Sequence, residues 1–357
     1  MKKILMVLIC VTVMTASFAG CSSNSGNNAE SAGGTSASTE SSAAPAAPSG
    51  EKIVMKVGHG APESVAMHKG WEKFKEEVEK ASEGNILVEI YPNQQMGGDR
   101  ELIESTQMGD LTACSPSSTP LASFCKEFFV LDIPFLFGDR VTAYTVLDGP
   151  AGQQLLSSVE EVGLKGSGYM ENGFRNFTNS KVQVRQPDDV KGLKIRTMEN
   201  KIHMAFWSLA GASPTPMAYG ELFTALQQKT VDGQENPFEL ICSSKFYEVQ
   251  SNITETQHIY TPYVVLFNLG FYNGLSDENK EIIDDAVKIA VDYARECSIQ
   301  SEIDSKQIIE DAGVTIISLT AEEKNAFREV MSEVLPQVKE AAGDIIVDLF
   351  IKEANYQ

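Results

Sequence analysis

The sequence has no apolar run of the ~18 residues that a membrane-spanning helix needs, which excludes a polytopic membrane protein. It is poor in basic residues: 29 Lys and Arg stand against 49 Asp and Glu, a formal charge of −20. That balance opposes the electrostatic footprint of a nucleic-acid binder and excludes nonspecific phosphate binding. Histidine is scarce too. His59, His68, His203 and His258 are scattered with no pair at helical ligand spacing, so each is expected to be structural and no metal site is indicated. HExxH, GxGxxG after a strand, a Walker loop, a GxSxG elbow and an EF-hand loop are all missing, so metal, nucleotide and acyl-transfer sites lack their signatures and no cofactor is expected. Ser123-Phe-Cys-Lys126 satisfies SxxK, but without its SDN and KTG companions a four-letter match with two free positions carries no weight.

What is present is an ordinary globular composition. The 357 residues, 42% of them hydrophobic, suffice for two domains with substantial cores. The chain opens with an export address: Lys2 and Lys3, the apolar run Ile4 to Met14, then small residues up to Cys21. Phe18-Ala19-Gly20-Cys21 is similar to a bacterial lipobox, so residues 1–20 are expected to be removed and Cys21 lipidated, anchoring the chain outside the cytoplasm. Residues 22–50 contain no Leu, Ile, Val, Phe, Tyr or Trp and cannot form a core, so 21–50 reads as an anchor and tether with a reach of ~30 Å. Loss of Lys2 and Lys3 takes the charge from −20 to −22, and Glu30 and Glu40 lie in the tether, so residues 51–357 carry −20. Four cysteines remain there, Cys114, Cys125, Cys242 and Cys297, at spacings that fit no CxxC pattern. Export permits a Cys114–Cys125 bridge, while separate buried thiols are the simpler expectation.

The periodicity of the body alternates between strand and helix. Lys52–His59 reads as a strand, Met67–Lys80 as a helix, Asn85–Tyr91 as a strand, and Arg100–Met108 as a helix with Leu102, Ile103 and Thr106 on one face. Strands are expected again at 162–169, 181–184 and 192–197, and helices at 203–210 and 221–229. This alternation predicts an α/β fold with helices covering the sheet. Residues 276–312 form one long helix, capped by Ser276 and ended by Gly313, with Ile282, Ala286, Ile289, Ala290, Tyr293 and Cys297 as its stripe, able to brace two lobes. A short strand at 314–318 and a capping box at Thr320 to Glu323 follow, opening a helix that carries Phe327, Val330, Met331 and Val334.

Candidate chemistry concentrates between Glu171 and Asn236, where basic residues sit among glycines, amides and aromatics. Arg175 lies in such a stretch, and Arg196 ends the apolar run from Gly192. Ligands of open α/β sheets bind outside the carboxyl ends of strands, and a guanidinium there is suited to hold a carboxylate by two parallel hydrogen bonds. Taken alone, an arginine at a strand end is more often a surface ion pair.

Eight segments carry a resemblance: Tyr91-Pro-Asn-Gln-Gln-Met-Gly-Gly-Asp-Arg-Glu-Leu-Ile-Glu104, Leu131-Asp-Ile-Pro-Phe-Leu-Phe137, Gly173-Phe-Arg-Asn-Phe-Thr-Asn-Ser180, Lys191-Gly-Leu-Lys-Ile-Arg196, Pro214-Thr-Pro-Met217, Thr224-Ala-Leu-Gln-Gln228, Val231-Asp-Gly-Gln-Glu-Asn-Pro237 and Ser244-Lys-Phe-Tyr-Glu-Val249. With them the chain resembles the extracytoplasmic substrate-binding subunits of TRAP transporters, the C4-dicarboxylate-type binding proteins, from about residue 52 to about 340. The resemblance implies a two-lobed periplasmic-binding-protein-like α/β fold with a cleft between the lobes and a long C-terminal bracing helix. Lobe I would comprise 51–172 plus about 262–301, and lobe II 173–261 plus about 302–357. It implies a small organic acid as ligand, TRAP permease subunits in the membrane as partners, and no chemical reaction.

By the same resemblance Arg196 pairs with the ligand carboxylate, Arg175 reinforces it, Asn236 supplies an amide and Tyr219 an aromatic face. Ser117, Ser118, Asp99, His59 and Gly60 would face the cleft from the other lobe, with His68 a weaker candidate, and Glu199 would accept a hydroxyl hydrogen bond. The neutral Ser117–Pro120 loop departs from sialic-acid-type relatives, leaving a sugar acid such as a hexuronate first and a C4-dicarboxylate second. The rival reading is an exported lipoprotein enzyme acting on a carboxylated sugar, with Glu171 and Glu199 as an acid/base pair.

Overall fold

The structure, a computed structural model, describes residues 52–356. The leader, Cys21 and the tether lie outside the described residues. Eleven strands occur among the described residues, the longer ones rich in β-branched and aromatic residues: β1 (Ile53–Gly58), β2 (Ile86–Tyr91), β3 (Ala113–Cys114), β4 (Leu164–Phe174), β5 (Asn176–Asn179), β6 (Lys194–Thr197), β7 (Ser213–Pro216), β8 (Gly233–Asn236), β9 (Asn252–Glu255), β10 (Tyr260–Asn268) and β11 (Thr315–Ser318). They form two sheets, ordered β2-β1-β3-β10-β4 and β11-β9-β5-β8-β6-β7. Each sheet with its helices is one lobe.

In the first sheet β1 runs parallel to β2 and β3, joined to β2 through helix α1 (Ala66–Ala81), and β10 is antiparallel to β3 and β4. In the second, β6 is parallel to β7 and β8, β5 is antiparallel to β8 and β9, and β9 is parallel to β11. The chain passes between the sheets three times: from β4 to β5 through Arg175, from β9 to β10, and along the helix Asp277–Asp311 to β11. The first two crossings are tied together by the Arg175 N–H, which donates to Ile259 O at 2.9 Å. Gly173, with φ +115°, takes a backbone conformation that a side chain would strain, just where the chain leaves the first sheet.

The core has three parts. Trp71, Phe74, Val88, Phe267 and Ala290 pack beneath the first sheet, Leu222, Phe238, Ile241, Phe246 and Ile253 beneath the second. The third and largest, with Leu102, Phe128, Tyr169, Phe206, Trp207, Phe327 and Phe350, draws residues from both halves. The helices Ala321–Met331, Leu335–Ala342 and Asp344–Glu353 complete it against the turn Lys126–Asp132, the helix Pro150–Ser158 and the helix Lys201–Leu209. Buried apolar area of this kind is worth ~25 cal/mol per Å² removed from water.

The long helix is capped as its sequence predicts, Ser276 Oγ accepting from Asn279 N at 3.2 Å, and Thr320 and Glu323 form the reciprocal capping box. Its buried stripe matches the expected one only at Ala286 and Ala290. Ile283, Ala286, Val287, Ala290, Val291 and Ala294 face inward, whereas Ile289 and Tyr293 are 42% and 41% exposed. Apolar residues occur on two faces of this helix, and the side with alanine and valine is the one that packs against α1 and β4. The segment 181–184 is not a strand: Asn179 Oδ1 accepts from the N–H groups of Lys181 and Val182 at 2.9 and 2.8 Å, a side-chain turn that ends β5. Cys114, Cys125, Cys242 and Cys297 are all free thiols, and burial pushes those of Cys114 and Cys125 up to about 12.

Candidate functional site

A cavity lies between the two sheets, at the carboxyl ends of β1, β3, β6, β7 and β8. The first lobe lines it with Gly60, Gln94, Asp99, Ser117 and Tyr263, the second with Arg196, Met198, Glu199, Met217, Tyr219 and Asn236, and Asn172 and Arg175 stand at the crossing between lobes. The walls meet at two places. Ser117 Oγ lies 3.7 Å from Met198 Sδ, and a Cβ on Gly220 would come within 2.6 Å of Gln94 Oε1, so the side-chain amide of one lobe rests on bare backbone of the other.

β6 delivers Arg196 to this cavity. Ile195 points into the core, and Arg196 follows at the strand end, 2% exposed. Its Nε and Nη2 both donate to Met217 O, at 2.9 and 2.7 Å, and that carbonyl is held in place by the Met217 N–H bond to Thr197 O. Nη1 is buried without a partner among the described residues. A buried cationic N–H left unpaired is costly, and no carboxylate is bonded to this guanidinium. Burial lowers Arg196 to about 10, with Glu235 acting in the opposite direction, so it stays charged at neutral pH.

Arg175 is built differently. Its Nε and Nη2 form a two-pronged ion pair with Glu235, and Nη2 also donates to Asn236 Oδ1 at 2.9 Å. Burial pushes Glu235 up, but the Arg175 charge, the nearby His258 and the hydrogen bonds outweigh it and hold the carboxyl well below the usual range. Glu235, which sequence reasoning did not single out, thus neutralises Arg175 from within the protein. Asn236 gives its carbonyl to Arg175 and its N–H to Gln234 Oε1, which fixes the amide at the cavity edge.

Tyr219 presents its ring to the cavity, braced edge-on against Phe246 at 5.8 Å and tied through its hydroxyl to Ser244. Asp99, in the first turn of helix α2 (Asp99–Met108), accepts the Ser117 N–H at 3.2 Å. Burial raises its carboxyl to about 6, against the pull of the Ser117 N–H, Arg196 and Arg175. Glu199 is exposed at the mouth.

Arg196, Arg175, Asn236, Tyr219, Glu199, Ser117, Asp99 and Gly60 therefore surround one cavity, and three other candidates do not. Ser118 is buried beside it, with its hydroxyl unpartnered, in the short helix Ser118–Leu121. His59 bonds through Nε2 to His68 Nδ1 at 2.9 Å and does not line the cavity; burial, then the His68 charge, lowers it to about 3. His68 belongs to α1 and reaches Glu72 at 3.7 Å, on a surface groove away from the cleft. Glu171 and Glu199 are not brought together: Glu171 accepts from Arg140 Nε at 3.0 Å and from the Tyr260 hydroxyl, behind the crossing strands. Gln94, Asn172, Met198 and Tyr263 were missed. Gln94 lies in the turn that the sequence marks at Pro92–Gly98, where the structure places Asn93 and Gln94 in the left-handed region (φ +54° and +58°); Tyr263 sits mid-strand in an apolar run and carried no signal. No cluster of His, Cys, Asp and Glu suited to a metal ion occurs among the described residues.

Comparison with known proteins places this geometry. The family described as "Bacterial extracellular solute-binding protein, family 7" matches residues 57–341. A solute-binding protein of Verminephrobacter eiseniae is 45% identical over 215 residues, 60% of this chain and 64% of that protein's length. The C4-dicarboxylate-binding periplasmic protein DctP of Rhodobacter capsulatus is 35% identical over 82% of this chain and 88% of its own. Among solved structures, the sugar acid binding protein DctPAm of Advenella mimigardefordensis in complex with galactonate superposes with a TM-score of 0.83 at 36% identity, covering 85% of this chain and 98% of that one. A TRAP periplasmic solute-binding protein of a Sulfitobacter species with bound β-D-galacturonate gives 0.81 at 29% identity, covering 85% and 99%.

Proposed function

The chain belongs to the bacterial extracellular solute-binding proteins of family 7, and on that premise we propose that it is the solute receptor of a TRAP-type transporter, holding a small organic acid between its lobes and delivering it to the membrane permease. One observation carries the reading: Arg196 is a buried, charged guanidinium that lines the interlobe cavity and whose Nη1 has no partner among the described residues. A ligand carboxylate satisfies both the charge and the orphaned N–H, by a short charge-assisted hydrogen bond in a water-poor site. The Met217 carbonyl holds the rest of the fork in place, so the hook is set before the ligand arrives.

The charge arrangement favours one carboxylate. Arg175 is neutralised by Glu235, so a second ligand carboxylate finds no unpaired cation deep in the cavity. The remaining polar groups, Asp99, Ser117 and Glu199, suit hydroxyls. A sugar acid such as a hexuronate is therefore the first choice and a C4-dicarboxylate the second, and the galactonate and galacturonate bound by structural relatives are consistent with that order. The formal −20 of the chain is no barrier, because screening over ~8 Å leaves local donors to decide affinity. Cys21 supplies the lipid anchor in this reading, and lobe I (51–172 plus about 262–301) closes on lobe II (173–261 plus about 302–357).

A thermal-shift screen of uronates, aldonates and C4-dicarboxylates tests the proposal, since a ligand at a hundred times its dissociation constant stabilises by ~2.7 kcal/mol. A screen in which no organic acid raises the melting temperature overturns it.

A further inference from the structure

Arg175 and Arg196, the two buried guanidiniums of the cleft, share it with Asp99 before any ligand enters. Arg175 is paired with Glu235, whereas Arg196 shares the cavity with Asp99 without a bond between them. A monocarboxylate that pairs with Arg196 therefore takes up the positive charge that had offset Asp99 and adds a second anion to the cavity as the lobes close. Burying a net charge is expensive, and titratable groups respond by neutralising. Resting on the organic-acid reading above, we propose that Asp99 takes up one proton as the ligand acid binds, so that it faces the ligand as a neutral carboxyl and sets the cleft to one ligand carboxylate.

Geometry selects Asp99 over its neighbours. Glu235 is locked in its two-pronged pair with Arg175 and has His258 at 3.4 Å, so it keeps its charge. Glu101 and Arg100, beside Asp99 on α2, and Glu199, across the mouth, are exposed and are screened by water. His59, at the end of β1, is kept neutral by burial, and the hydroxyls of Tyr219 and Tyr263 are pushed up by burial and hold their protons. Asp99, half-buried on the cavity wall, has no arginine bonded to it among the described residues and receives the Ser117 N–H. Its carboxyl, already raised to about 6 in the empty cleft, needs only the arrival of a further negative charge to hold a proton at neutral pH. Once protonated, Asp99 keeps one oxygen as acceptor for Ser117 and gains an O–H donor, which a sugar-acid hydroxyl or carboxylate oxygen accepts.

The sign follows. Below about pH 6 Asp99 is already protonated and affinity is flat; above it each binding event must draw a proton from solvent, and the dissociation constant rises up to about tenfold per pH unit. The experiment is titration calorimetry of the purified protein with galactonate and with glucuronate from pH 5 to 8, in buffers of different ionisation enthalpy. Expected are weakening of up to about a hundredfold between pH 6 and 8 and uptake of close to one proton per ligand at pH 7.5. Asp99→Asn, isosteric with the neutral acid, is expected to bind with no pH slope and no proton uptake, while Glu104→Gln, on the same helix but outside the cavity lining, keeps both. A flat profile in a protein that binds these acids overturns the role of Asp99 and leaves the receptor reading standing, as does a slope that survives in Asp99→Asn. Failure of both acids to bind at any pH overturns the receptor reading together with this one.

Discussion

Arg175, at the crossing between β4 and β5, and Arg196, on β6, are equally buried, and the fold treats them in opposite ways. Arg175 receives an internal carboxylate, an amide and a backbone carbonyl. Arg196 receives one carbonyl and keeps a bare N–H. A charge that the protein satisfies for itself stabilises the architecture, and a charge left unsatisfied at a cavity is a binding site held ready at some cost to stability.

The largest effects should come from breaking each arginine in turn. Arg196→Ala is expected to keep the fold and to lose organic-acid affinity by hundreds-fold or more, equivalent to the ~3 to 5 kcal/mol of a broken buried ion pair; calorimetry showing unchanged binding contradicts the assignment. Arg175→Ala is expected to show the reverse emphasis, lowering unfolding stability by ~3 to 5 kcal/mol because Glu235 is left buried and unpaired, which a urea titration reads directly. A milder change, Arg196→Lys, keeps the charge but loses the fork on Met217 O and should cost roughly tenfold to a hundredfold in affinity.

Asp99 sharpens the comparison from the acidic side. Its carboxyl is raised in the folded, ligand-free state, so it takes up a proton in the folded protein at a higher pH than in the unfolded one. Stability therefore falls as pH rises from about 4 to about 6 and stays lowered above that. Asp99→Asn should gain on the order of 1 kcal/mol at pH 8 and nothing at pH 4, measured by denaturation at both. The smallest effect belongs to the lobe contact: Gly220→Ala pushes against Gln94 and should weaken ligand binding by about 1 kcal/mol or less, with an unchanged melting temperature.

Much of the fold was legible because it is local. Alternation marked β1 and β2, the caps at Ser276 and Thr320 bounded their helices, and Leu102, Ile103 and Thr106 are indeed the buried face of α2. The stripe of the long helix was misread because two of its faces carry apolar residues, and only the partner surface decides between them. The strand expected at 181–184 failed on turn chemistry, the Asn179 side chain ending β5 first. At the site, Arg196 was marked by its place at the end of an apolar run. Asp99, Ser117 and Gly60 came through the resemblance, which also drew in Ser118, His59 and His68, whose side chains are directed elsewhere. Gln94 and Tyr263 reach the cavity only because distant segments fold around it.

Residue order alone carries the strand-helix alternation of an α/β fold, the capped helices and the place of Arg196 at a strand end, since each depends on spacing within a few turns of chain. Which arginine is neutralised and which is left open depends on whether Glu235 or only the Met217 carbonyl falls beside it. That choice belongs to contacts between strands some 20 to 60 positions apart, where a change in packing reverses the role of an identical side chain.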